Sequence, residues 1–359
     1  MEQLAGKKIV LAGGGSGGHV TPLLAVGEAL ARGGAKLFWL GAGDIDSQRG
    51  AQELGSVYAA ITTGKWRRYY AIENVLTPAA VLIGIYQARR ILTRWQPDLV
   101  FAKGGYVSLP TVLAARLLNI PIIIHESDVV MGLANRMAAR FAKKVCVSQP
   151  VVNYSTIDRN ILVETGLPVR PDFLRPRRPV SKPSKRKTIL ITGGSQGGHS
   201  LNLVVREALP QLLPRFAIIH LTGLADYPDF ESLRQPDYQV FGRVGHEMAG
   251  LMGTADLIIS RASATTLAEI AALGRPAILV PLAADPSGHQ AANARLWQKA
   301  GAALVIPQKQ LTVQHLLTTI STIVDQPGRV RAMAEAAAQL ARPLAVARIA
   351  TVIGQVLEE

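Results

Sequence analysis

The chain is poor in four things, and each shortage excludes something. A single cysteine, Cys146, stands among 359 residues, so no disulfide framework is possible. It lies in an apolar run, Lys144-Val145-Cys146-Val147, where a buried thiol is expected rather than a nucleophile or a metal ligand. A reducing compartment suits such a chain. Aromatic residues make up 5%. No aromatic RNA-binding signature, zinc-ligand spacing or helix-turn-helix accompanies them, so nucleic acid is not an expected partner. Long apolar runs are missing as well. The longest, Val75 to Tyr86, contains Pro78 and falls short of the ~20 residues that cross a bilayer. Met1-Glu2 leads into a charged-then-apolar strand without a signal peptide's apolar core, and no export is expected.

Acid is the fourth shortage. Asp and Glu number 25 against 39 Lys and Arg, a formal net charge of +14. Such an excess draws anionic partners, and lipid headgroups or diphosphates account for it as readily as a polynucleotide. Around Val75 to Tyr86 the charge is patterned. Lys65, Trp66, Arg67 and Arg68 precede that run, and Arg89, Arg90, Arg94 and Trp95 follow it. One reading is an apolar face with a cationic, aromatic rim, docking peripherally on an anionic membrane leaflet. The other is a core helix in which Leu76, Val81 and Leu82 are buried and the arginines solvated.

What is present is a packed α/β chain, 48% hydrophobic and 18% charged, long enough for two domains. Expected strands in the first half are Lys8–Ala12, Lys36–Leu40, Val57–Ile61, Leu99–Ala102, Ile120–His125 and Lys144–Val147, with helices between. The second half repeats the rhythm at Thr188–Thr192, Ala217–Thr222, Gln239–Phe241, Leu257–Ser260, Ala277–Val280 and Ala303–Ile306. A long helical finish runs from Val330 to Leu357. Such alternation implies parallel sheets with right-handed crossovers and ligands at the carboxyl ends of the strands. Between the halves, Gly166 to Lys187 turns rich in proline and cations, with Pro168, Pro171, Pro176, Pro179 and Pro183. It reads as an extended linker. The expectation is two doubly wound, Rossmann-like domains facing across a cleft. They cover residues 1–165 and 188–340, joined by 166–187, with a terminal helix at 341–359 that packs back on the first domain.

The organising stretch is Lys8 to Pro22: a strand, then Gly13-Gly14-Gly15-Ser16-Gly17-Gly18-His19, then a helix from Thr21-Pro22 to Leu30. Bare amides at a helix N-terminus, with the positive end of its dipole behind them, attract phosphate or a developing anion. Gly13, Gly15 and Gly18 fit G-x-G-x-x-G, with Asp44 as the candidate ribose acid of a dinucleotide site. A P-loop is not expected, because no Lys-Ser/Thr pair follows the last glycine and His19 stands there instead. A turn that merely lets strand and helix pack closely is the third reading. The pattern recurs at Gly193-Gly194-Ser195-Gln196-Gly197-Gly198-His199, with the two histidines 180 residues apart.

Four further stretches bring polar groups to strand ends. Lys103-Gly104-Gly105-Tyr106-Val107-Ser108 and His125-Glu126-Ser127-Asp128 follow strands of the first half. In the second, Ser260-Arg261 leads to Glu269, which either accepts bonds from a ribose diol or completes a capping box with Thr266. Gln290 and Asn293 share a helix face, as amides reading sugar hydroxyls would.

Together these motifs resemble the MurG family, the UDP-N-acetylglucosamine:undecaprenyl-diphospho-muramoyl-pentapeptide N-acetylglucosaminyltransferases of bacterial cell-wall synthesis. They are GT-B glycosyltransferases, and the likeness runs in register from about Lys8 to past Gly301. It implies transfer of GlcNAc from UDP-GlcNAc to the undecaprenyl-diphosphate-linked muramoyl-pentapeptide, at the cytoplasmic face of the membrane, with no cofactor. It implies Ser195 and Arg170 near the diphosphate, and Ala264, Thr265, Thr266, Leu267, Ala268 and Glu269 around ribose and phosphate. Gln290 would hold the GlcNAc, with Asn293 beside it, and the loop Val244 to Met248 would flank the uracil. Ser16, Gly17 and Gly18 would close over the donor.

Two departures from the family pattern stand out. Asp128 replaces the usual Asn, an acceptor-only group when ionised. Gly198-His199 replaces Ala plus a long side chain. For the chemistry, His19 is the expected general base, because a helix N-terminus favours neutral imidazole near pH 7. Glu126 and Asp128 are rival carboxylate bases. Fixed donors of the second glycine turn, with Ser195 and Arg170, would hold the departing UDP. No metal-carboxylate cluster is legible, and direct displacement inverts an α-linked donor to a β-linked product. The rivals are another GT-B enzyme of UDP-sugars, including an epimerase, an NAD-dependent Rossmann enzyme, and a non-catalytic anion-binding module.

Overall fold

The computed structural model describes residues 4–15, 17–64, 73–175, 186–194, 197–283, 285 and 288–359. The chain divides into two compact units, Met1–Arg170 with Arg342–Glu359, and Pro171–Ala341.

The first unit runs β1 (Lys8–Ala12), α1 (Gly17–Arg32), β2 (Lys36–Gly41), α2 (Ile45–Glu53), β3 (Val57–Ala60), α3 (Glu73–Trp95), β4 (Leu99–Ala102), α4 (Ser108–Leu117), β5 (Ile122–Glu126), α5 (Leu133–Ala138), β6 (Lys144–Val147) and β7 (Leu162–Glu164). The second runs α6 (Pro171–Leu174), β8 (Lys187–Thr192), α7 (His199–Leu212), β9 (Phe216–Leu221), α8 (Tyr227–Glu231), β10 (Tyr238–Phe241), α9 (Met248–Thr254), β11 (Leu257–Ser260), α10 (Ala264–Leu273), β12 (Ala277–Leu279), α11 (His289–Lys299), β13 (Ala303–Val305), α12 (Val313–Val324) and α13 (Pro327–Gln339). The chain ends in α14 (Ala345–Glu358).

Both sheets are parallel, ordered β3-β2-β1-β4-β5-β6-β7 and β10-β9-β8-β11-β12-β13. Each is covered on both faces, which is why the strands read as continuous apolar runs. In β1, Val10 and Ala12 join the core on one face, and Ile9 and Leu11 the core on the other. The second sheet divides likewise, Ile189 and Ile191 to one side and Leu190 to the other. Strand order reverses between β1 and β4, and again between β8 and β11. In doubly wound sheets that reversal opens the crevice where ligands sit. Ala12 pairs with Ala102 and Thr192 with Ser260, so the loops that leave each reversal start level with one another.

Three expectations are corrected. The first helix starts at Gly17, not Thr21, so Gly17, Gly18 and His19 form its first turn. Pro22 lies inside the helix, where its missing N–H forfeits a single bond. The helical finish is two helices, because Pro343 has no N–H to continue α13 and disfavours helix in the residue before it. That break is where the chain returns to the first unit, and α14 buries Ile349, Val352, Ile353 and Val356 in the core shared with α1. Finally, β7 was not expected; at three residues on a sheet edge it carries almost no pattern.

Candidate active site

In the first unit, the glycine turn is shaped by close approaches. A Cβ on Gly13 would lie 2.6 Å from Leu23 Cδ1, and one on Gly14 would lie 2.8 Å from Asp44 Oδ2. Trp39 Nε1 donates to Gly13 O at 3.0 Å. Asp44 caps α2 by accepting from Ser47 N, and its other oxygen accepts from Gly15 N at 3.0 Å. Burial works to raise its pKa, but the hydrogen bonds from Ser47 and Gly15 win and hold it low. Asp44 therefore clamps the turn, a fixed structural task that displaces the dinucleotide reading. On α1, His19 is half-buried against the next loop. A Cβ on Gly105, whose φ is +80°, would lie 3.3 Å from His19 Nε2.

The end of β5 and the first residue after β4 hold a buried cluster of ionisable side chains. Lys103, His125 and Glu126 are all nearly inaccessible. Glu126 Oε1 accepts from the amides of Ser127 and Asp128 at 2.8 and 3.0 Å. Its Oε2 accepts from Gly132 N and Asn135 Nδ2 at 2.9 and 3.0 Å. Burial, then the Asp128 carboxylate, push the Glu126 pKa up against those donors. His125 Nε2 lies 3.0 Å from Gly166 O, and burial, with Lys103 nearby, holds its ring neutral. Asp128 is half-buried, and its carbonyl accepts from Tyr154 Oη at 2.8 Å.

In the second unit, Gly194 and Gly197 have φ of +85° and +79°. A Cβ on Gly197 would lie 2.7 Å from Thr222 O, so no other residue fits there. His199 begins α7 and its Nδ1 lies 2.9 Å from Asp226 Oδ1. Behind it runs a relay unread in the sequence. Asn202 Nδ2 donates to Asp226 Oδ2 at 2.7 Å, Asn202 Oδ1 meets His220 Nε2 at 3.0 Å, and His220 Nδ1 meets Tyr238 Oη at 2.9 Å. Polar residues interrupting the apolar pattern of β9 and α7 were the available signal.

Arg261, at the end of β11, is buried and donates to Val280 O, Gln308 Oε1 and Ser200 Oγ at 3.1, 2.8 and 2.9 Å. It ties the start of α7 to two neighbouring loops. The α10 cap is Ser263, whose oxygen accepts from Thr266 N, so Glu269 is not the capping-box partner of Thr266. Glu269 sits one and a half turns into α10 and is buried with Thr265, Thr266 and Leu267, while Ala264 and Ala268 are half-buried. Gln290, on the first turn of α11, accepts from Leu282 N at 3.0 Å through Oε1. Asn293 is turned inward, its amide donating to Ala262 O at 3.1 Å. Glu247 Oε2 accepts from Gly245 N in the loop before α9.

The first turn of α1 thus brings Gly17, Gly18 and His19 together, with Gly105 against the histidine. The α10 start gathers Ala264 to Glu269. Arg170 is the last residue of the first unit's leading segment. Ser16, Ser195, Lys65, Trp66, Arg67, Arg68 and residues 176–185 of the expected linker lie outside the described residues. Among the described residues no three His, Cys, Asp or Glu side chains form a metal-sized group.

The glycosyltransferase family 28 N-terminal domain matches residues 9–147, and the family's C-terminal domain matches residues 188–349. The chain is 38% identical to a UDP-N-acetylglucosamine--N-acetylmuramyl-(pentapeptide) pyrophosphoryl-undecaprenol N-acetylglucosamine transferase of Lachnospira eligens, covering 88% of this chain and 90% of that protein. It is 38% identical to the enzyme of the same name from Clostridium novyi, covering 89% and 91%. Its structure is similar to that of Acinetobacter baumannii MurG, with a TM-score of 0.75 and 31% identity over 97% of this chain and 99% of that one. A UDP-GlcNAc 2-epimerase from Neisseria meningitidis shares the fold at 14% identity and a TM-score of 0.72, over 96% of this chain and 99% of that one. Matched in order through both of its halves, the chain belongs to glycosyltransferase family 28.

Proposed function

We infer that the chain is an inverting N-acetylglucosaminyltransferase that moves GlcNAc from UDP-GlcNAc to undecaprenyl-diphosphate-linked muramoyl-pentapeptide. The observation that carries this is identity of 36–38% over nearly nine-tenths of the chain to enzymes named for that reaction. The chemistry of both units agrees. The second unit offers groups that a nucleotide-sugar needs: α7 amides for the diphosphate, Glu269 for the ribose diol, and Gln290 Nε2 as a donor to a GlcNAc hydroxyl; Arg170, at the end of the first unit's leading segment, is a further cation for the diphosphate.

In this reading the first unit delivers the nucleophile. His19 takes the proton from the acceptor hydroxyl as it attacks the anomeric carbon, and the α1 N-terminus disfavours imidazolium and keeps the base neutral. Glu126 is an anchor rather than a base, since four N–H donors already converge on its two oxygens. Fixed donors at the second glycine turn stabilise UDP as it leaves.

The lipid acceptor also gives a use to the first unit's apolar surface. On α3, Leu82 is 68% and Tyr86 62% exposed, with Ile83 beside them and Arg89 and Arg90 exposed one turn on. Leu82 is thus not a core residue, and Val81 is half-buried. Leu133, Met137 and Phe141 form a second exposed stripe with Arg136 and Arg140. No helix among the described residues is long and apolar enough to cross a membrane. These faces support peripheral docking on the anionic cytoplasmic leaflet, by apolar insertion and screened attraction.

The deciding experiment measures UDP release from UDP-GlcNAc with and without the lipid-linked muramoyl acceptor. Acceptor-dependent release with a β-linked product is expected; release that ignores the acceptor, or conversion of UDP-GlcNAc to an epimer, rejects this assignment. Flotation with anionic vesicles at low salt tests the docking face, and protein that stays at the bottom of the gradient rejects it.

A further inference from the structure

The reaction as drawn gives no task to Lys103, yet this lysine is 2% exposed. Lysine is almost never buried unless paired. Its backbone amide donates to Ala12 O at 2.9 Å, and its stem lies under the first glycine turn, 3.4 Å from where a Gly13 Cβ would be. Its Nζ donates to Ser127 Oγ. The residue therefore spans from the turn that opens α1 to the loop that follows β5. Glu126 and Asp128 flank Ser127, and two carboxylates in one buried loop repel. Burial lowers the Lys103 pKa, while Glu126 and then Asp128 raise it in return. The resembled family usually carries a neutral Asn where this chain has Asp128. The added negative charge and the buried cation answer each other.

We propose that Lys103 is a positioning residue for acceptor binding, a buried cation that fixes the Glu126–Asp128 loop through Ser127 and makes aspartate workable at position 128. This rests on the functional reading above. Without the cation the repulsion between Glu126 and Asp128 is no longer offset by a buried positive charge, and the loop shifts away from the pose that receives the acceptor sugar. The donor-binding groups of the second unit are unaffected.

The test uses the full chain and the UDP-release assay, with KM measured separately for each substrate. Lys103→Met should lower kcat/KM for the lipid-linked acceptor by about 10- to 100-fold, with KM for UDP-GlcNAc held within about twofold. Adding Asp128→Asn should restore kcat/KM to within about threefold of the Asp128→Asn single variant, since the surplus charge is then gone. Ser127→Ala, which cuts the contact without altering charge, should cost about three- to tenfold against the acceptor alone. A double variant no better than Lys103→Met, equal losses for both substrates, or an unchanged Ser127→Ala overturns the proposal. Should Lys103→Met fail to fold, as judged by circular dichroism, Ser127→Ala and the double variant decide it. A wild-type chain that releases no UDP with acceptor instead overturns the functional reading, and this inference with it.

Discussion

The two glycine turns begin with the same letters and end differently. In the first unit the helix starts two residues before the histidine, which puts His19 inside the first turn of α1 and against Gly105. In the second unit the helix starts at the histidine itself, and Asp226 holds His199 outside the barrel of α7. The supports differ too. Asp44 clamps the first turn through the Gly15 amide, whereas the second is squeezed against the Thr222 carbonyl. Beyond the turns, the first unit gathers Lys103, His125 and Glu126 in one buried cluster, whereas the second unit's buried polar groups, among them His220, Arg261, Thr265, Thr266 and Glu269, are spread over several elements. Under the proposed mechanism, one motif would serve two tasks: proton transfer in one unit and anion binding in the other.

The sharpest way to break this contrast is to remove each histidine. His19→Ala should lower kcat by about 10²- to 10⁴-fold while UDP affinity, by calorimetry, holds within about threefold. His199→Ala should lower kcat less than about tenfold, and equal losses would erase the asymmetry. Next in size, Glu269→Ala should raise KM for UDP-GlcNAc about 10- to 100-fold and leave acceptor KM alone, as expected for a lost ribose contact. The turns themselves differ in room. Gly197→Ala should cost about 3 kcal/mol in urea melts, because Thr222 O blocks the methyl; Gly15→Ala, with open space and only a strained φ of +85°, should cost about 1 kcal/mol.

The last test is by pH. Burial lowers the His220 pKa to about 3, with only partial opposition from Asp226. The folded ring thus binds fewer protons than the unfolded one, whose pKa is ~6.5, so stability is fully present above that value and declines as pH falls toward 3. The loss is on the order of 5 kcal/mol at the acid end, and His220→Gln should flatten that part of a melting-temperature profile.

Much of this was readable from the letters, for identifiable reasons. Strands buried on both faces leave continuous apolar runs such as Leu257–Ile259, so twelve of the thirteen strands among the described residues were placed from sequence within two residues. Helix starts were harder, because glycine carries no helical signal and Pro22 looks like a first residue when it is the sixth. Candidate residues that stand in strand-end loops were legible because function concentrates there. What stayed hidden were partnerships across the fold. The Asp44 clamp, the relay from His199 to Tyr238, and the seat of Lys103 beside Ser127 each join residues from different elements, and no local spacing encodes them.

The return of α14 has a consequence for how the protein is made. The first unit is discontinuous: 171 residues of the second are inserted before its final helix arrives. On a ribosome, the second unit has its whole sequence available first, while the earlier-made sheet waits for Ile349 and Ile353 to seal the underside of α1. A stop codon only eighteen residues early would therefore injure the opposite end of the sequence, loosening the helix that carries His19.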